Sequence, residues 1–147
     1  VMINGKLAVT GQPVDPADVA ARAVVAHQHV HARDRAERGV DGALVATKAG
    51  SGERATNALP LFVGADPDKN GKPESTFMGA IDEVRISTVA RYSGPKFDAT
   101  QRHEPDAQTA LLLHCDVDVS AWTPDASGKG AHARRLGTAK CEPKATR

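Results

Sequence analysis

Large aromatic side chains are scarce in this sequence, since one Trp, one Tyr and three Phe make up only 3% of its 147 residues. Each ring is therefore hard to spare from a core, and few remain for stacking on a ligand. Cysteine is sparse as well, and Cys115 and Cys141 lack the C-x-x-C spacing of a four-cysteine zinc site. The two cysteines leave two alternatives open, a disulfide bond or a pair of buried thiols.

Long apolar runs and an excess of one charge sign are also missing. No stretch approaches the roughly 20 apolar residues that a membrane-spanning helix needs. The formal net charge is +1 with the two signs interspersed, which gives no field to gather nucleic acid or an anionic membrane. We therefore expect no nucleic-acid binding and no membrane insertion.

The first residues predict a β-hairpin. Apolar residues flank Asn4 and Gly5, the pair that best accepts the positive φ angles of a two-residue turn. Much later, residues 39–57 are rich in Gly, Ser and charge, which predicts a flexible connection with a short strand at ALVAT, residues 43–47.

Between these segments, residues 16–38 predict one long α-helix. A capping aspartate and a proline suited to the first helical position open the segment, and no breaker follows before Gly39. In a helix, His27 and His31 lie one turn apart on one side, and with Asp34 they could hold zinc or nickel. The alternative is a solvated or packed helix edge.

The rest of the sequence is β in character. Short β-rich runs are divided by Pro, Gly and Asp turns, namely LPLFVGA, FMGAIDEVRIS and TALLLHCD. A Gly-rich turn and two further short strands are expected in SGKGAHARRLGTAKCE. This pattern is typical of an antiparallel sandwich rather than of alternating strands and helices. The sequence thus predicts a mostly β fold with one inserted helix.

Residues 59–92 resemble the laminin G-like, concanavalin A-like jelly-roll domains of bacterial surface proteins. The resemblance consists of an apolar strand ending in Gly, an acidic loop, an F-x-G-x-I-D-E-V-R-I motif and an A-R-Y turn. The matching residues are Phe77, Gly79, Ile81, Asp82, Glu83, Val84, Arg85, Ile86, Ala90, Arg91 and Tyr92. The Asn-Gly hairpin and the segment that begins at Arg102 resemble the flanking parts of the same domains.

The resemblance implies an antiparallel jelly-roll sandwich of which this chain supplies only the C-terminal half, because such domains carry further strands before the Asn-Gly hairpin. We expect one domain, with a jelly-roll hairpin at 1–12, a helical insertion and linker at 13–57, and jelly-roll strands with a closing segment at 58–147. Half a sandwich exposes an apolar face and unpaired edges. We therefore expect the missing strands to come from another chain, a cleaved N-terminal piece, or a neighbouring copy in a homo-oligomer or filament.

The acidic loop is a candidate calcium site. Asp66, Asp68 and Asn70 place oxygens at alternate positions, and calcium prefers such hard ligands. An EF-hand is excluded, because Phe77 stands where a bidentate Glu is required. A similarity to the pentraxin calcium loop implies carboxylate ligands from Asp66 and Asp68 and a carbonyl ligand from Pro67. The alternative is a plain turn, which selects the same residue types.

Asp82 is a candidate buried carboxylate. Strand alternation would place it on one face with Val84 and Ile86. A buried carboxylate needs a hydrogen-bonded or charged partner, and Arg91 is the candidate. A structural brace is the plain interpretation, and a catalytic or metal role is the alternative.

Trp122 and Tyr92 are the candidates for stacking on a sugar, with core packing as the alternative. We expect no enzymatic activity, because the sequence shows no Ser-His-Asp or Cys-His nucleophile and no glycosidase arrangement of paired carboxylates. The sequence favours a non-enzymatic laminin G-like binding module for glycan or protein ligands, with calcium as its one expected cofactor. We expect it to be secreted, in an extracellular or cell-envelope location. A structural subunit completed by strands of another chain is the alternative function.

Overall fold

The computed structural model describes residues 26–31, 35–40, 42–49, 58–97 and 102–141. The regular structure in these ranges consists of strands, with no helix among them. The strands are β1 (Ala26–His31), β2 (Arg35–Val40), β3 (Ala43–Ala49), β4 (Asp66–Pro67), β5 (Pro73–Glu74), β6 (Val84–Ser87), β7 (Thr109–Leu113), β8 (Trp122–Thr123) and β9 (Ala133–Arg134). They pair antiparallel in small sheets, which confirms the mostly β prediction. The jelly-roll topology stays a prediction.

The chain divides into two compact units. Among the described residues, the β1–β5 unit comprises 26–31, 35–40, 42–49, 58–80 and 92–97, and the β6–β9 unit comprises 81–91 and 102–141. In the ranges that the structure describes, no helix is long and apolar enough to span a bilayer. The single-domain division at 12 and 57 stays a prediction, and the Asn4-Gly5 hairpin lies outside the described residues.

The first sheet replaces much of the predicted helix. Strands β1, β2 and β3 form an antiparallel sheet in that order, with Ala26 opposite Val40 and Arg35 opposite Ala49. The helix prediction is therefore wrong for residues 26–31 and 35–38, and the rest of 16–38 is not described. Histidine recurs at every second position from 27 to 31, a period of two that suits a strand, and backbone pairing outweighs the helical propensity of the neighbouring alanines. The short strand predicted at residues 43–47 is confirmed within β3.

A close backbone contact anchors the start of β3. Phe97 donates its N–H to the carbonyl of Gly42 at 2.9 Å, and Leu44 donates to the carbonyl of Pro95 at 2.9 Å. Gly42 has φ +76°, and an added Cβ would lie 2.6 Å from the Phe97 carbonyl oxygen. Only glycine meets both demands at this position.

The acidic loop forms a short hairpin in the β1–β5 unit. Strand β4 pairs with β5, with Asp66 opposite Glu74 and Pro67 opposite Pro73. The preceding run LPLFVGA was expected to be a strand, but residues 59–65 carry no strand in the structure. Pro60 offers no N–H to a ladder, and Leu61 and Val63 remain largely exposed.

The buried apolar side chains lie on one strand of the β6–β9 unit. Strand β7 pairs with β6, with Val84 opposite Leu113 and Ile86 opposite Leu111. The buried apolar side chains of the described residues are Leu111, Leu112 and Leu113. This pair confirms strands within VRIS and TALLL, whereas residues 77–83 of the predicted run FMGAIDEVRIS carry no strand.

The closing segment forms a two-stranded ribbon. Strand β8 pairs with β9, with Trp122 opposite Arg134 and Thr123 opposite Ala133. Only β9 is found among the described residues of SGKGAHARRLGTAKCE, where two strands were expected. Ala126 donates its N–H to the Leu112 carbonyl at 2.8 Å, so the ribbon is joined to the leucine strand of the same unit.

Candidate functional site

A depression on the β8–β9 ribbon presents the only tryptophan of the chain. Its volume is about 560 Å³, and the residues that line it are Val119, Trp122, Pro124, Gly130 and His132. A two-residue turn precedes the ring, because Val119 and Trp122 exchange backbone hydrogen bonds of 2.9 and 3.0 Å and Ser120 has φ +57°. Trp122 is 46% exposed and Val119 is 59% exposed. An open aromatic face beside apolar neighbours is a surface on which a flat apolar ligand face can stack.

A buried carboxylate organises the loop behind this depression. Asp125 is 8% exposed, and its Oδ1 accepts the N–H groups of Leu112 at 3.0 Å and Ser127 at 2.9 Å. Its Oδ2 accepts the Ser127 hydroxyl at 2.7 Å and the Ala131 N–H at 2.9 Å. Burial raises the pKa of Asp125, but these hydrogen bonds outweigh it and lower the pKa to about 2. Asp125 therefore joins the leucine strand to the loop 124–131 as a carboxylate that is ionised at neutral pH.

His132 is oriented by the same loop. Its Nδ1 lies 3.0 Å from the backbone nitrogen of Asp125, which donates the hydrogen bond. An imidazole nitrogen that accepts a hydrogen bond carries no proton, so the proton of neutral His132 is on Nε2. His132 thus brings an N–H donor to a depression that it also lines.

Two adjacent arginines on this ribbon differ in their contacts. Arg135 bonds to the carbonyls of Ser120 and Ala139 and pairs with Asp118 at 3.0 Å. Arg134 is exposed, and the described residues supply no hydrogen-bond or ion-pair partner for its guanidinium. Arg135 is therefore part of the scaffold, whereas Arg134 presents its charge to the surroundings of the ribbon.

A second polar cluster surrounds Glu83 in the same unit. The side chain of Glu83 is 9% exposed and accepts the backbone N–H of His103 at 2.8 Å. It also contacts Nδ1 of His114 at 2.8 Å and Arg102 at 3.6 Å, and Arg102 pairs with Asp116 at 2.6 Å. The cluster ties the start of β6 to the residues that flank β7.

His103 is the least satisfied member of this cluster. It is 7% exposed, and its Nδ1 is buried with no hydrogen-bond partner in the described part of the chain. Burial, followed by the charge of Arg85, holds the pKa of His103 below its ordinary value. The hydrogen bonds of His103 and His114 in this cluster both run to Glu83, so the cluster braces the start of β6 against the residues that flank β7.

The expectation that Asp82 is buried is wrong. Asp82 is exposed, and the buried carboxylate is that of its neighbour Glu83. Glu83 has φ +52°, so the regular alternation of side chains breaks there and the strand begins only at Val84. Arg91 pairs with Asp106 at 2.5 Å, and hydrogen bonds from its guanidinium hold the pKa of Asp106 well below its usual range.

The predicted calcium loop forms a tight turn around Asp68. Its Oδ1 accepts the N–H groups of Asn70 at 2.8 Å and Lys72 at 2.7 Å. Its Oδ2 contacts the Asn70 side-chain amide at 3.4 Å, and the Lys72 bond is the main cause of a lowered pKa. Asp66 and Pro67 lie in β4. The described residues contain no group of three or more His, Cys, Asp or Glu side chains arranged to hold a metal ion.

The structure also gives the surroundings of the aromatic, cysteine and histidine candidates. Tyr92 packs against Phe97 with ring centroids 4.5 Å apart, which occupies one face of its ring, whereas the indole of Trp122 is open. Cys115 and Cys141 are free, half-buried thiols, and burial raises the pKa of Cys115 to about 11. The helical spacing behind the zinc or nickel prediction at His27 and His31 does not occur, because both lie in β1. Asp34 lies outside the described residues.

The sequence interpretation overlooked three residues of this region, namely Asp125, His132 and Arg134. The stretch TPDASGKG reads as a solvated turn, and only the fold reveals that its aspartate is buried behind β7. Trp122 and Arg134 lie opposite each other across the ribbon, a pairing that is visible only once β8 and β9 are in register. The spacing of His132 and Arg134, two residues apart, is the one local signal in the sequence that these two side chains could share a face.

The chain matches no family model, no curated protein and no solved structure in comparisons with known proteins.

Proposed function

We propose that this chain is a non-enzymatic binding module that recognises a glycan through the open face of Trp122. The observation that carries the proposal is the 46% exposure of the indole in a depression with Val119, Pro124 and His132. A sugar ring has an apolar C–H face that stacks on an aromatic ring, while its hydroxyls need hydrogen-bonding groups beside that ring. The indole and the oriented imidazole supply both elements.

We further propose that the chain is a laminin G-like jelly-roll module that acts outside the cell or in its envelope, and two features of the fold support the β-module part of this proposal. The described part of the chain is built of antiparallel strands, and the I-D-E-V-R-I motif leads directly into β6. The residues that line the depression offer no pair of carboxylates and no activated nucleophile, so we propose recognition without a chemical step. A protein loop with an exposed apolar side chain is the other ligand that this module could take.

The fluorescence of Trp122 tests the proposal directly, because no other tryptophan contributes to the emission. We expect the emission to shift when a glycan from a screened panel binds, and we expect Trp122→Ala to abolish binding measured by calorimetry. Val117→Ala is the matched control, since Val117 is 60% exposed in the same unit but does not line the depression. Glycan binding that survives in Trp122→Ala would contradict the proposal.

We also propose calcium as the cation that the acidic turn would take. The supporting observation is that Oδ2 of Asp68 contacts the side-chain amide of Asn70 at 3.4 Å. Asp68 also directly follows strand β4, whose backbone carbonyls are those of Asp66 and Pro67. The ligands would be Asp66, Pro67, Asp68 and Asn70, with further oxygens from water or another chain. Calcium should raise the melting temperature, and Asp68→Ala should remove the increase. An unchanged melting temperature with calcium would refute this part of the proposal.

A second candidate function, assembly with strands of another chain, is favoured by a different observation. Three adjacent leucines are the buried apolar side chains of the described residues. Large apolar side chains are exposed in both units, and in the β1–β5 unit they are Val45, Leu61, Val63, Phe77 and Met78. Exposed apolar side chains fit an interface better than a solvated surface in a unit whose described residues include no buried large apolar side chain.

Sedimentation over a range of concentrations tests this candidate. We expect an oligomer, or a complex with a cleaved piece of the same polypeptide, and we expect Met78→Glu to lower the observed mass because Met78 is 90% exposed. Lys69→Glu is the control, since it alters charge on the acidic turn without removing apolar surface. A monomer with a cooperative unfolding transition would contradict the assembly function.

A further inference from the structure

We propose that the ligand of the Trp122 face is an anionic sugar, carrying a carboxylate or a sulfate that pairs with Arg134. This inference rests on the proposed function and adds the chemical class of the ligand. It depends on three observations in the β6–β9 unit, which are the position of Arg134, the proton position on His132, and the engagement of the nearby carboxylates.

Arg134 lies directly opposite Trp122 in the β8–β9 register. Residues opposite each other in an antiparallel pair project to the same face of the sheet, with Cβ atoms roughly 5 Å apart. A ring stacked on the indole would therefore have the guanidinium at its edge. A planar guanidinium binds carboxylate and sulfate oxygens through two parallel hydrogen bonds.

The neighbouring residue shows that this guanidinium is not a scaffold group. Arg135 is held by the carbonyls of Ser120 and Ala139 and by Asp118, whereas the described residues supply no such partners for Arg134. Arg135 therefore has a structural role, whereas the guanidinium of Arg134 is able to pair with a ligand.

His132 adds a second donor on the same side. His132 comes directly before β9 and is two positions from Arg134, so an extended backbone would place both side chains on one face, and His132 lines the depression with Trp122. Its Nδ1 accepts the Asp125 N–H, which leaves the Nε2 proton for a ligand oxygen.

The nearby carboxylates do not compete for these donors. Oδ2 of Asp118 accepts the Cys141 N–H at 3.1 Å and pairs with Arg135, while its Oδ1 is buried, away from a ligand, with no hydrogen-bond partner in the described residues. The carboxylate of Asp125 is occupied by four donors from the protein. Among the described residues, the face around Trp122 therefore offers donors and positive charge without an opposing carboxylate, and this favours an anionic ligand.

The test is an array of matched sugar pairs, followed by calorimetry with the full chain. One set pairs oligogalacturonates with their methyl esters, and the other pairs sulfated galacto-oligosaccharides with their desulfated forms. We expect the charged member of at least one pair to bind about tenfold more tightly than the neutral member, the gain of a charge-assisted hydrogen bond. The two sets distinguish a carboxylate from a sulfate.

Arg134→Gln should reduce binding of the charged member about tenfold and leave any binding of the neutral member unchanged. Lys129→Gln is the charge-matched control, because Lys129 is exposed in the same unit but lies outside the β8–β9 pair that sets Arg134 opposite Trp122. Equal affinity for charged and neutral members, or equal effects of the two substitutions, would overturn the anionic-sugar inference while glycan recognition stands. Absence of binding to every member would also overturn the anionic-sugar inference, and absence of binding across the screened glycan panel would refute the glycan proposal itself.

Discussion

Two aspartate-centred turns, one in each unit, use the same chemistry at different depths. Asp68 closes the hairpin between β4 and β5 by accepting two backbone N–H groups, and its surroundings are exposed. Asp125 also accepts backbone N–H groups two and six residues ahead, but it is 8% exposed and reaches Leu112 in another strand. The first turn organises only itself, whereas the second joins a loop to the core strand.

The difference shows that burial increases the contribution of an aspartate turn to the free energy of unfolding. At the surface, water replaces a lost hydrogen bond, so the net contribution of an exposed turn is small. Inside the protein, loss of Asp125 leaves several N–H groups without acceptors, and each unsatisfied buried group is destabilising. The two turns should therefore differ more in energy than in geometry.

The largest expected effect comes from Asp125→Ala. The substitution removes the acceptor for Leu112, Ser127 and Ala131, and we expect the free energy of unfolding to fall by on the order of 3 kcal/mol. Chemical denaturation, with tryptophan fluorescence as the signal, measures the change because Trp122 belongs to the same unit. Asp125→Asn is the conservative control, since its amide oxygen can still accept from Leu112. A loss below about 1 kcal/mol would show that water replaces these bonds and that the turn is not a core element.

An intermediate effect is expected from acid. The pKa of Asp125 falls from its ordinary value of 3.8 to about 2 in the folded protein, so the unfolded chain binds the proton more readily. The stabilisation is thus complete above about pH 4 and is lost as the pH falls toward 2. Other carboxylates titrate in this range, so the measured quantity is the difference between the wild type and Asp125→Asn. Parallel pH profiles for the two proteins would contradict the assignment.

The smallest effect should follow Asp68→Ala in a calcium chelator. Its turn keeps the backbone bonds between Asp68 and Lys72 and between Gly71 and Asp68, which do not involve the side chain. We expect a lower melting temperature than in the wild type, with a decrease smaller than that of Asp125→Ala under identical conditions. An equal or larger decrease would reverse the ranking of the two turns.

Strand content was predictable where the sequence carries adjacent β-branched and leucine residues. VRIS, TALLL and ALVAT each contain strand residues in the structure. The helix prediction is wrong for residues 26–31 and 35–38. A segment such as 26–31, in which histidine alternates with other residues, fits the period of a helix as well as that of a strand, and only the partner strand decides between them. The run LPLFVGA failed because proline interrupts the ladder that its apolar residues favour.

The candidate site was predictable only in part. The sequence offers Trp122 as a candidate for stacking, although the scarcity of aromatic residues favours core packing, and only the fold shows that the residue is 46% exposed. Strict alternation of side chains along the strand predicts that Asp82 rather than Glu83 lies on the buried face. The positive φ of Glu83 breaks that alternation and reverses the two faces. Asp125, His132 and Arg134 are ordinary turn and surface residues in the sequence, and their roles depend on contacts across strands that a linear pattern does not contain.

The bond between the Asp125 N–H and His132 joins stability and recognition through a single residue. The carboxylate of Asp125 holds a core strand, and its backbone positions an imidazole of the proposed binding face. A ligand that engages His132 should therefore raise the melting temperature of the unit by mass action. A substitution that displaces Asp125 should therefore weaken ligand binding and loosen the leucine strand together.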